Sequence, residues 1–393
     1  MPRAPPVDGN TVGHRLTTLA AALALAAVVA GAAPGAAGRI PNWAAPQIAT
    51  VVSHKLMAKN VKTFKPNQAL EQQTLADLAL GLQQELGSPA PAPSSNSSST
   101  TTTSPTYPAT TDATTTTPTT TAPPVSNPTA PVSMAQLDRQ LVYSLGLQQA
   151  AKEFASGARA AGAAVPGRFG TEVVARLLGL RINHPAAQDF IELRPQDPAT
   201  RAEAAYSAAQ ILGFGYLSDS WQIGEAQSLA DSFELPQLND WQRRILNVAF
   251  SKIGMPYVWG GTSDGTETEF GVTSRGGYDC SGFVWRVYKL QSYPNEGSLA
   301  STLKGRTTYT MSVEVPNSKR IPLAKLQPAD VVFFGTDGSH SSGSQIFHTG
   351  IYVGNGWFIQ SSDYGVALAQ LSGWYKKRFA WGRRPLREAG LEP

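Results

Sequence analysis

The stretch that decides the fold of the C-terminal half reads DCSGFVWRVY and runs from Asp279 to Tyr288. Its apolar residues recur three, four, seven and eight positions after Cys280, at Phe283, Val284, Val287 and Tyr288. This is the spacing of a helix face packed on a core, and Asp279 suits the cap position, so we predict a helix that begins at Cys280. A sulfur in the first turn lies where free backbone N–H groups favour negative charge, which predicts a lowered thiol pKa.

Cys280 is the only cysteine among 393 residues. A lone cysteine is often a buried, inert residue, and that interpretation competes with a nucleophile. The apolar run Leu16–Ala33 follows Arg15 and precedes small residues, which predicts a secretory signal peptide over residues 1–37 or, alternatively, an uncleaved anchor. An exported chain without a cysteine pair gives the thiol no structural partner, and this favours the nucleophile.

The composition and charge exclude some classes of function. With 41% hydrophobic and 15% charged residues, the chain has enough apolar residues for two or three folded domains. A net charge of +4 without clusters of Lys, Arg and aromatic residues argues against nucleic acid and allows weak attraction to anionic wall polymers. We see no three ligating side chains at metal-site spacing and expect neither a metal nor a cofactor. Beyond the signal segment we expect no stable insertion into a membrane.

Periodicity and composition divide the chain into successive regions. Helical spacing predicts a helical repeat over residues 40–87 and more repeats over 134–217. Between them, residues 88–133 are almost all Ser, Thr, Pro and Ala, which predicts a disordered linker. Residues 218–239 form a connector, and a domain follows over 240–388.

Weak internal similarity supports the helical repeats. Phe64–Asn67 recurs in outline as Leu193–Gln196, and each stretch precedes a helical segment. A fainter echo is Pro166–Phe169. Repeats of this length indicate stacked helical units that share one core.

The C-terminal domain combines a helix from Asp240 with later strands. Residues 326–335 are predicted to be a turn followed by a buried strand, and Ile346–Val353 with Trp357–Ser361 a hairpin. Helices followed by antiparallel strands indicate an α+β fold.

A cysteine nucleophile needs a base, and two histidines, His340 and His348, follow Cys280 in the chain. His340 lies among serines and is most simply a solvated loop residue. His348 begins the segment HTGIYV, in which alternate residues face the core, so His348, Gly350 and Tyr352 share the other face.

The turn geometry decides whether Gln360 can orient His348. A two-residue turn at Asn355–Gly356 would put the two side chains on opposite faces. A three-residue loop over Gly354–Gly356, or an equivalent bulge, pairs Gln360 with Gly350 and puts Gln360 on the face of His348. We predict the loop or the bulge.

These motifs together resemble the NlpC family of cell-wall cysteine endopeptidases. The resemblance covers about 240–386 and is carried by PYVWGG from Pro256, DCSGFV from Asp279, PADVVFF from Pro328 and HTGIYVGNG from His348. It implies a papain-like domain, with helices packed on a small antiparallel sheet. It also implies an exported or wall-bound hydrolase of peptidoglycan stem peptides, often at the bond between D-γ-glutamate and meso-diaminopimelate.

The resemblance implies roles by position. Cys280 would be the nucleophile, His348 the base and Gln360 the residue that orients it, where many members carry a histidine. Tyr257, Asp279 and Ser281 would lie at the oxyanion and substrate site. Two stretches, 262–277 and 336–346, are longer than is usual in the family. The resemblance therefore does not fix the shape of the substrate groove or the choice of substrate.

The N-terminal repeats resemble S-layer homology repeats through Thr200–Ala204, which reads TRAEA. This resemblance implies binding of a secondary cell-wall polymer near Thr200, Arg201 and Glu203. The alternative is a capping box, with Thr at the cap and Glu three residues later.

Two other functions compete with the endopeptidase. The same thioester chemistry would serve an amidase or an acyltransferase. A wall-anchored structural protein with a degenerate catalytic domain is the alternative from another class.

Overall fold

The computed structural model describes residues 43–87 and 122–392. The predicted signal peptide, residues 1–37, and most of the predicted linker lie outside these residues. Within the described ranges, no helix is both long and apolar enough to cross a membrane.

Residues 43–87 and 122–231 form a helical module. Its helices are α1 Ala45–Ser53, α2 Gln72–Glu85, α3 Met134–Ser144, α4 Gln148–Ala160, α5 Phe169–Leu177, α6 Arg201–Leu212 and α7 Trp221–Asp231. Short 3₁₀ helices, Val61–Thr63 and Ala186–Ile191, lie between them. Side chains at helical spacing share one buried core, including Ile48, Leu78, Leu141, Phe154, Val174 and Ala205. The predicted helical N-terminal region is therefore present.

Three extended segments precede α2, α3 and α6 and pair in a closed triangle. Their bridges are Ala69 with Thr200, Glu71 with Pro131, and Ser133 with Pro198. The repeat similarity found between residues 64–67 and 193–196 is thus reflected in the structure. The fainter echo at Pro166–Phe169 is the turn ahead of α5, and the third segment of the triangle lies at 128–133, inside the predicted linker.

The end of the predicted linker is ordered. Val132 N–H donates to Leu70 O at 2.8 Å, and Ala199 N–H donates to Val132 O at the same distance. The Val132 side chain is buried. Composition predicted a flexible linker to residue 133, but backbone pairing needs no apolar run, and one buried valine reinforces it.

Residues 240–392 form the C-terminal module. Its helices are α8 Asp240–Ser251, α9 Cys280–Trp285, α10 Leu299–Thr302, α11 Thr308–Val313, α12 Gly373–Arg378 and α13 Pro385–Glu388. Asn239 caps α8 with a capping box to Gln242, so the cap lies one residue before Asp240. A π-helical turn, Arg286–Leu290, continues α9, and short 3₁₀ helices are Asn317–Lys319, Leu323–Lys325, Gly338–His340 and Gly343–Gln345.

The strands of this module form one main sheet and two small ones. They are β1 Thr262–Ser263, β2 Glu267–Glu269, β3 Val272–Ser274, β4 Gly277–Tyr278, β5 Val331–Gly335, β6 Ile346–Gly354, β7 Trp357–Ser362, β8 Gly365–Gln370 and β9 Phe379–Arg383. The main sheet has the order β8-β7-β6-β5-β9, and its neighbouring strands are antiparallel. Helix α9 packs on β6 and β7. The predicted mixture of helices and sheet is confirmed.

The two modules are in direct contact. The predicted connector forms α7 and then an extended stretch, in which the Phe233 ring packs on Phe154 and Trp357. Hydrogen bonds also cross the interface, from Arg168 to Ser251 O at 2.7 Å, from Arg176 to Gly254 O at 2.9 Å, and from Trp259 N–H to Asp189 at 3.2 Å. The helical module therefore supports the loop over residues 254–260.

A buried ion pair fixes the start of β5. Arg384 donates to both carboxylate oxygens of Asp330, at 2.7 and 2.8 Å. Asp330 has no exposed surface, and Arg384 is 7% exposed. Asp330 also accepts from Gln327 N–H at 2.8 Å, which closes the turn ahead of the strand.

We expect Asp330→Ala to lower the free energy of unfolding by about 3–5 kcal/mol, because it leaves the Arg384 charge buried without a partner. The matched control is Asp240→Ala, whose side chain is 77% exposed beside Arg243 and which should cost at most about 1 kcal/mol. Urea unfolding followed by tryptophan fluorescence measures both. Equal losses for the two variants would contradict the prediction.

Candidate active site

The nucleophile candidate lies where the sequence predicted it. Helix α9 begins at Cys280, and the Asp279 carboxylate caps it by accepting from Gly282 N–H. The four apolar residues of the predicted stripe are buried: Phe283, Val284, Val287 and Tyr288. Gly282 is required by packing, because a Cβ there would lie 1.9 Å from Gly261 O.

His348 lies on β6, which packs against α9. The alternation along this strand agrees with the prediction, since Thr349, Ile351 and Val353 are buried while Tyr352 is partly exposed. The Thr349 backbone N–H also faces the Cys280 sulfur. The thiol thus lies beside the strand that carries the candidate base.

The hairpin register brings Gln360 onto the face of His348. Ile351 pairs with Ile359 and Tyr352 with Phe358, but Gly354 pairs with Trp357, so the strand holds one extra residue. The turn itself is Asn355–Gly356, with both residues at positive φ. The predicted bulge is confirmed, and it sets Gln360 opposite Gly350.

The contact between His348 and Gln360 selects a tautomer. His348 Nε2 lies in hydrogen-bond contact with Gln360 Oε1, and an amide oxygen only accepts. We therefore assign the proton to Nε2, which leaves Nδ1 with a free lone pair. The Gln360 amide in turn donates to Tyr375 Oη at 2.7 Å.

The surroundings of Cys280 hold its thiol neutral. Burial, followed by the Asp279 charge, raises the pKa of Cys280 to about 11. Thr308 Oγ1, 3.4 Å from the sulfur, and the backbone N–H groups of Ser281 and Thr349 lower it, but by less. The prediction of a lowered thiol pKa was wrong, because desolvation outweighs the helix start. Burial also lowers the pKa of His348.

Arg306 organises the helix start. It donates to Asp279 at 3.1 Å, to Ser281 Oγ at 2.8 Å and to Gly260 O at 2.6 Å. Gly260 N–H donates back to Asp279 at 3.1 Å. The hydroxyl of Ser281 is therefore engaged, and only its backbone N–H is directed at the sulfur.

Residues 254–384 match the model of the NlpC/P60 family. The C-terminal module is an NlpC/P60 domain.

Curated relatives match part of the chain. Murein DD-endopeptidase MepH of Escherichia coli (strain K12) is 32% identical over 174 residues, 43% of this chain and 55% of that protein. The gamma-D-glutamyl-L-lysine dipeptidyl-peptidase of Bacillus subtilis (strain 168) is 25% identical over 159 residues, 40% of this chain and 45% of that protein. A solved NlpC/P60 family protein from Bacillus cereus is 25% identical, with a TM-score of 0.26 over 39% of this chain and 42% of its own. The matches span about half of these relatives' length.

Three residues of the NlpC/P60 site had no signal in the sequence. Arg306 reaches Asp279 from a loop, Thr308 reaches Cys280 from α11, and Tyr375 reaches Gln360 from α12. No spacing links them to the motifs, because tertiary folding alone brings them close. Tyr257, which the sequence did single out, is half-buried and forms a parallel bridge with Tyr278, two residues before Cys280. Its role at the oxyanion stays a prediction.

The residues expected to bind wall polymer are engaged inside the helical module. Thr200 caps α6 by accepting from Glu203 N–H at 3.2 Å. Arg201 donates to Phe64 O at 2.8 Å and Met57 O at 2.6 Å. Glu203 is 4% exposed, so its carboxylate is closed to a polymer. The alternative, a capping box, is borne out in part, because the Thr200 side chain caps the helix at Glu203 N–H.

Because Cys280 is the only cysteine, iodoacetamide reports its thiolate directly. We expect slow alkylation at pH 7 and a rate that rises towards pH 11, since the pKa is raised to about 11. Thr308→Val should move the midpoint up and Asp279→Asn down, the first by removing a hydroxyl donor and the second by removing a negative charge. Mass spectrometry measures labelling, with glutathione as the reference thiol. An alkylation rate that already reaches its plateau near pH 7 would contradict the raised pKa of Cys280.

Proposed function

We propose that this chain is a peptidoglycan hydrolase that cleaves stem-peptide amide bonds with Cys280, His348 and Gln360. The contact between His348 Nε2 and Gln360 Oε1, beside a cysteine at a helix start, carries this proposal. The NlpC/P60 match and relatives named as endopeptidases support it. Such a substrate lies outside the cytoplasmic membrane, which agrees with the predicted export.

The first step is base-assisted attack. His348 Nδ1 takes the thiol proton while the sulfur adds to the amide carbonyl, so a neutral pair becomes an imidazolium and an oxyanion. Backbone N–H groups at the start of α9 would hold the oxyanion, with about 3 kcal/mol per donor. Gln360 keeps the imidazole in the productive tautomer throughout.

The second half of the reaction releases both products. The tetrahedral intermediate collapses, the C–N bond breaks, and His348 gives its proton to the leaving amine. Water then attacks the thioester with His348 as base, and the thiol is regenerated with the carboxylic acid. An amine in place of water would make the same site an acyltransferase, so identified products decide between the two.

The finer proposal concerns the bond. We infer cleavage between D-γ-glutamate and meso-diaminopimelate, and one relative is named for a γ-D-glutamyl bond. Another is named a DD-endopeptidase, so this assignment is tested against cleavage of the cross-link. Mass spectrometry of muropeptides after digestion separates the two bonds, because the fragments differ in composition.

Variants of the three residues test the mechanism. Cys280→Ala should abolish hydrolysis, and His348→Ala should lower kcat by about 10²–10⁴-fold. Gln360→His should keep activity within about tenfold, since an imidazole can also accept from Nε2–H, whereas Gln360→Ala should not. Product formation from purified muropeptides measures these effects. Full activity of Cys280→Ala would rule out the thiol mechanism, and a wild-type chain that cleaves no muropeptide would favour a wall-anchored structural protein.

The pH profile gives an independent readout of the same site. The base must be neutral, and burial lowers the pKa of His348. We expect the acid limb of kcat/KM below the ordinary imidazole value of about 6.5. Gln360→Glu should shift this limb to higher pH, because a carboxylate stabilises the imidazolium.

We also propose that the helical module binds a secondary wall polymer, at a groove between α2 and α3. The groove has a volume of about 490 Å³, and its polar lining includes Gln72, Gln83, Gln136, Arg139 and Gln140. Amides and one cation suit a hydroxyl-rich, anionic polymer. The groove replaces Thr200, Arg201 and Glu203 as the candidate binding surface.

Co-sedimentation with purified sacculi tests this binding in the Cys280→Ala chain, which cannot digest them. We expect Arg139→Gln to weaken binding several-fold, because it removes the cation of the groove. Arg159→Gln, an exposed cation on α4, is the matched control. Loss of binding in both variants, or in neither, would count against the groove.

A further inference from the structure

The long stretch between Gly261 and Tyr278 builds a hairpin beside the active site. β1 pairs with β4, and β2 pairs with β3 farther along the hairpin. The hydroxyls of Thr268 and Thr273 lie 2.8 Å apart across the outer pair. Residues 262–277 therefore form an ordered hairpin.

The tip of the hairpin carries an exposed aromatic ring in an unfavourable conformation. Phe270 and Gly271 connect β2 to β3 with φ of 50° and 82°. Such a turn favours Asn or Gly at its first position, and a bulky residue there is strained. The Phe270 side chain is nonetheless 78% exposed, so burial does not compensate the strain. Strain without a folding benefit points to a binding role.

Phe270 packs against Gly260, in the loop that is hydrogen-bonded to Asp279. A Cβ on Gly260 would lie 2.6 Å from its ring, so the ring covers the backbone there. That backbone is bound to Asp279 and Arg306, and Asp279 directly precedes Cys280. The exposed ring is thus at the rim of the site, and the loop at Gly260 lies between it and the start of α9.

Ion pairs and hydrogen bonds hold the hairpin base in place. The Glu267 carboxylate accepts from the N–H groups of Thr262 at 2.8 Å and Ser263 at 3.2 Å. Lys252 pairs with Asp264 at 2.5 Å, and Arg194 of the helical module donates to Asp264 O at 3.3 Å. The base of the hairpin that carries the Phe270 ring is therefore held in a fixed position.

The helical module adds a second exposed ring. Phe190 is 44% exposed, and its neighbour Asp189 accepts from Trp259 N–H at 3.2 Å. The 3₁₀ helix that carries Phe190 also packs against β3. Both modules therefore place a phenylalanine beside the loop at Trp259–Gly260.

We propose that Phe270, assisted by Phe190, binds a sugar ring of the glycan strand that carries the stem peptide. An exposed aromatic face beside Glu269, whose Cβ lies against the same glycine, Gly260, as the ring, fits a ligand with an apolar face and a hydroxyl rim, as a pyranose has. An extended peptide spans about 3.3–3.6 Å per residue, so a sugar a few residues from the cleaved bond reaches the rim. This inference rests on the proposed function and makes glycan-linked stems the preferred substrates.

The test compares one stem peptide with and without its disaccharide. Phe270→Asn suits the turn, so the hairpin should fold. We expect about a tenfold loss in kcat/KM, mostly through KM, on the disaccharide-linked stem and less than about twofold on the free peptide. Phe270→Trp should retain the preference. Tyr143→Asn, which alters an aromatic residue 42% exposed on α3, is the matched control.

Equal losses on both substrates, or no loss on either, would overturn the sugar contact. Binding of the disaccharide-linked stem to Cys280→Ala, measured by calorimetry, separates this inference from the proposed function. If the wild-type chain cleaves neither substrate while Phe270→Asn still weakens binding, the sugar contact holds and the hydrolase proposal fails. Binding that does not depend on Phe270 would refute the contact whatever the activity.

Discussion

The hydrogen bond between His348 and Gln360 depends on one extra residue in β6. Side chains alternate between the two faces of a strand, so a register shifted by one residue would turn Gln360 away from the imidazole. The bulge before Gly354 absorbs that residue, and the positive φ values at Asn355 and Gly356 close the turn. The tautomer of His348 follows from this local backbone geometry.

Burial shapes the chemistry of the site as strongly as its hydrogen bonds do. It raises the pKa of Cys280 and lowers that of His348, so both groups favour their neutral forms. Asp279 is required as the cap of α9, yet its charge opposes a thiolate. Arg306 offsets that charge by pairing with Asp279 at 3.1 Å. The proposed mechanism agrees with neutral starting groups, because in it the oxyanion and the imidazolium form together during attack.

Local periodicity predicted those features that local geometry controls. The helix at Cys280 follows from a spacing of 3.6 residues. The alternation around His348, and the strand face on which Gln360 lies, follow from a spacing of two residues. The roles of these residues stay predictions. The sequence could not predict Arg306, Thr308 and Tyr375 as neighbours of the motifs, because only tertiary packing brings them there. The repeat unit at residues 128–133 was missed for another reason: a Ser/Thr/Pro-rich composition hides a segment that pairs through its backbone.

The position of the Ser/Thr/Pro-rich stretch changes how the two modules relate. It joins α2 to residue 122, and the amide of Gln73 on α2 donates to Ala122 O at 3.1 Å. Both ends of the stretch are thus fixed to the helical module, so it does not separate that module from the NlpC/P60 domain. The interface between them instead carries a buried charge pair, Glu172 and Arg176, with Arg176 donating to Gly254 O. Buried charges tolerate few alternative arrangements, because any shift leaves a charge unpaired. The helical module is therefore held in a fixed position against the NlpC/P60 domain, at the loop that begins at Gly254.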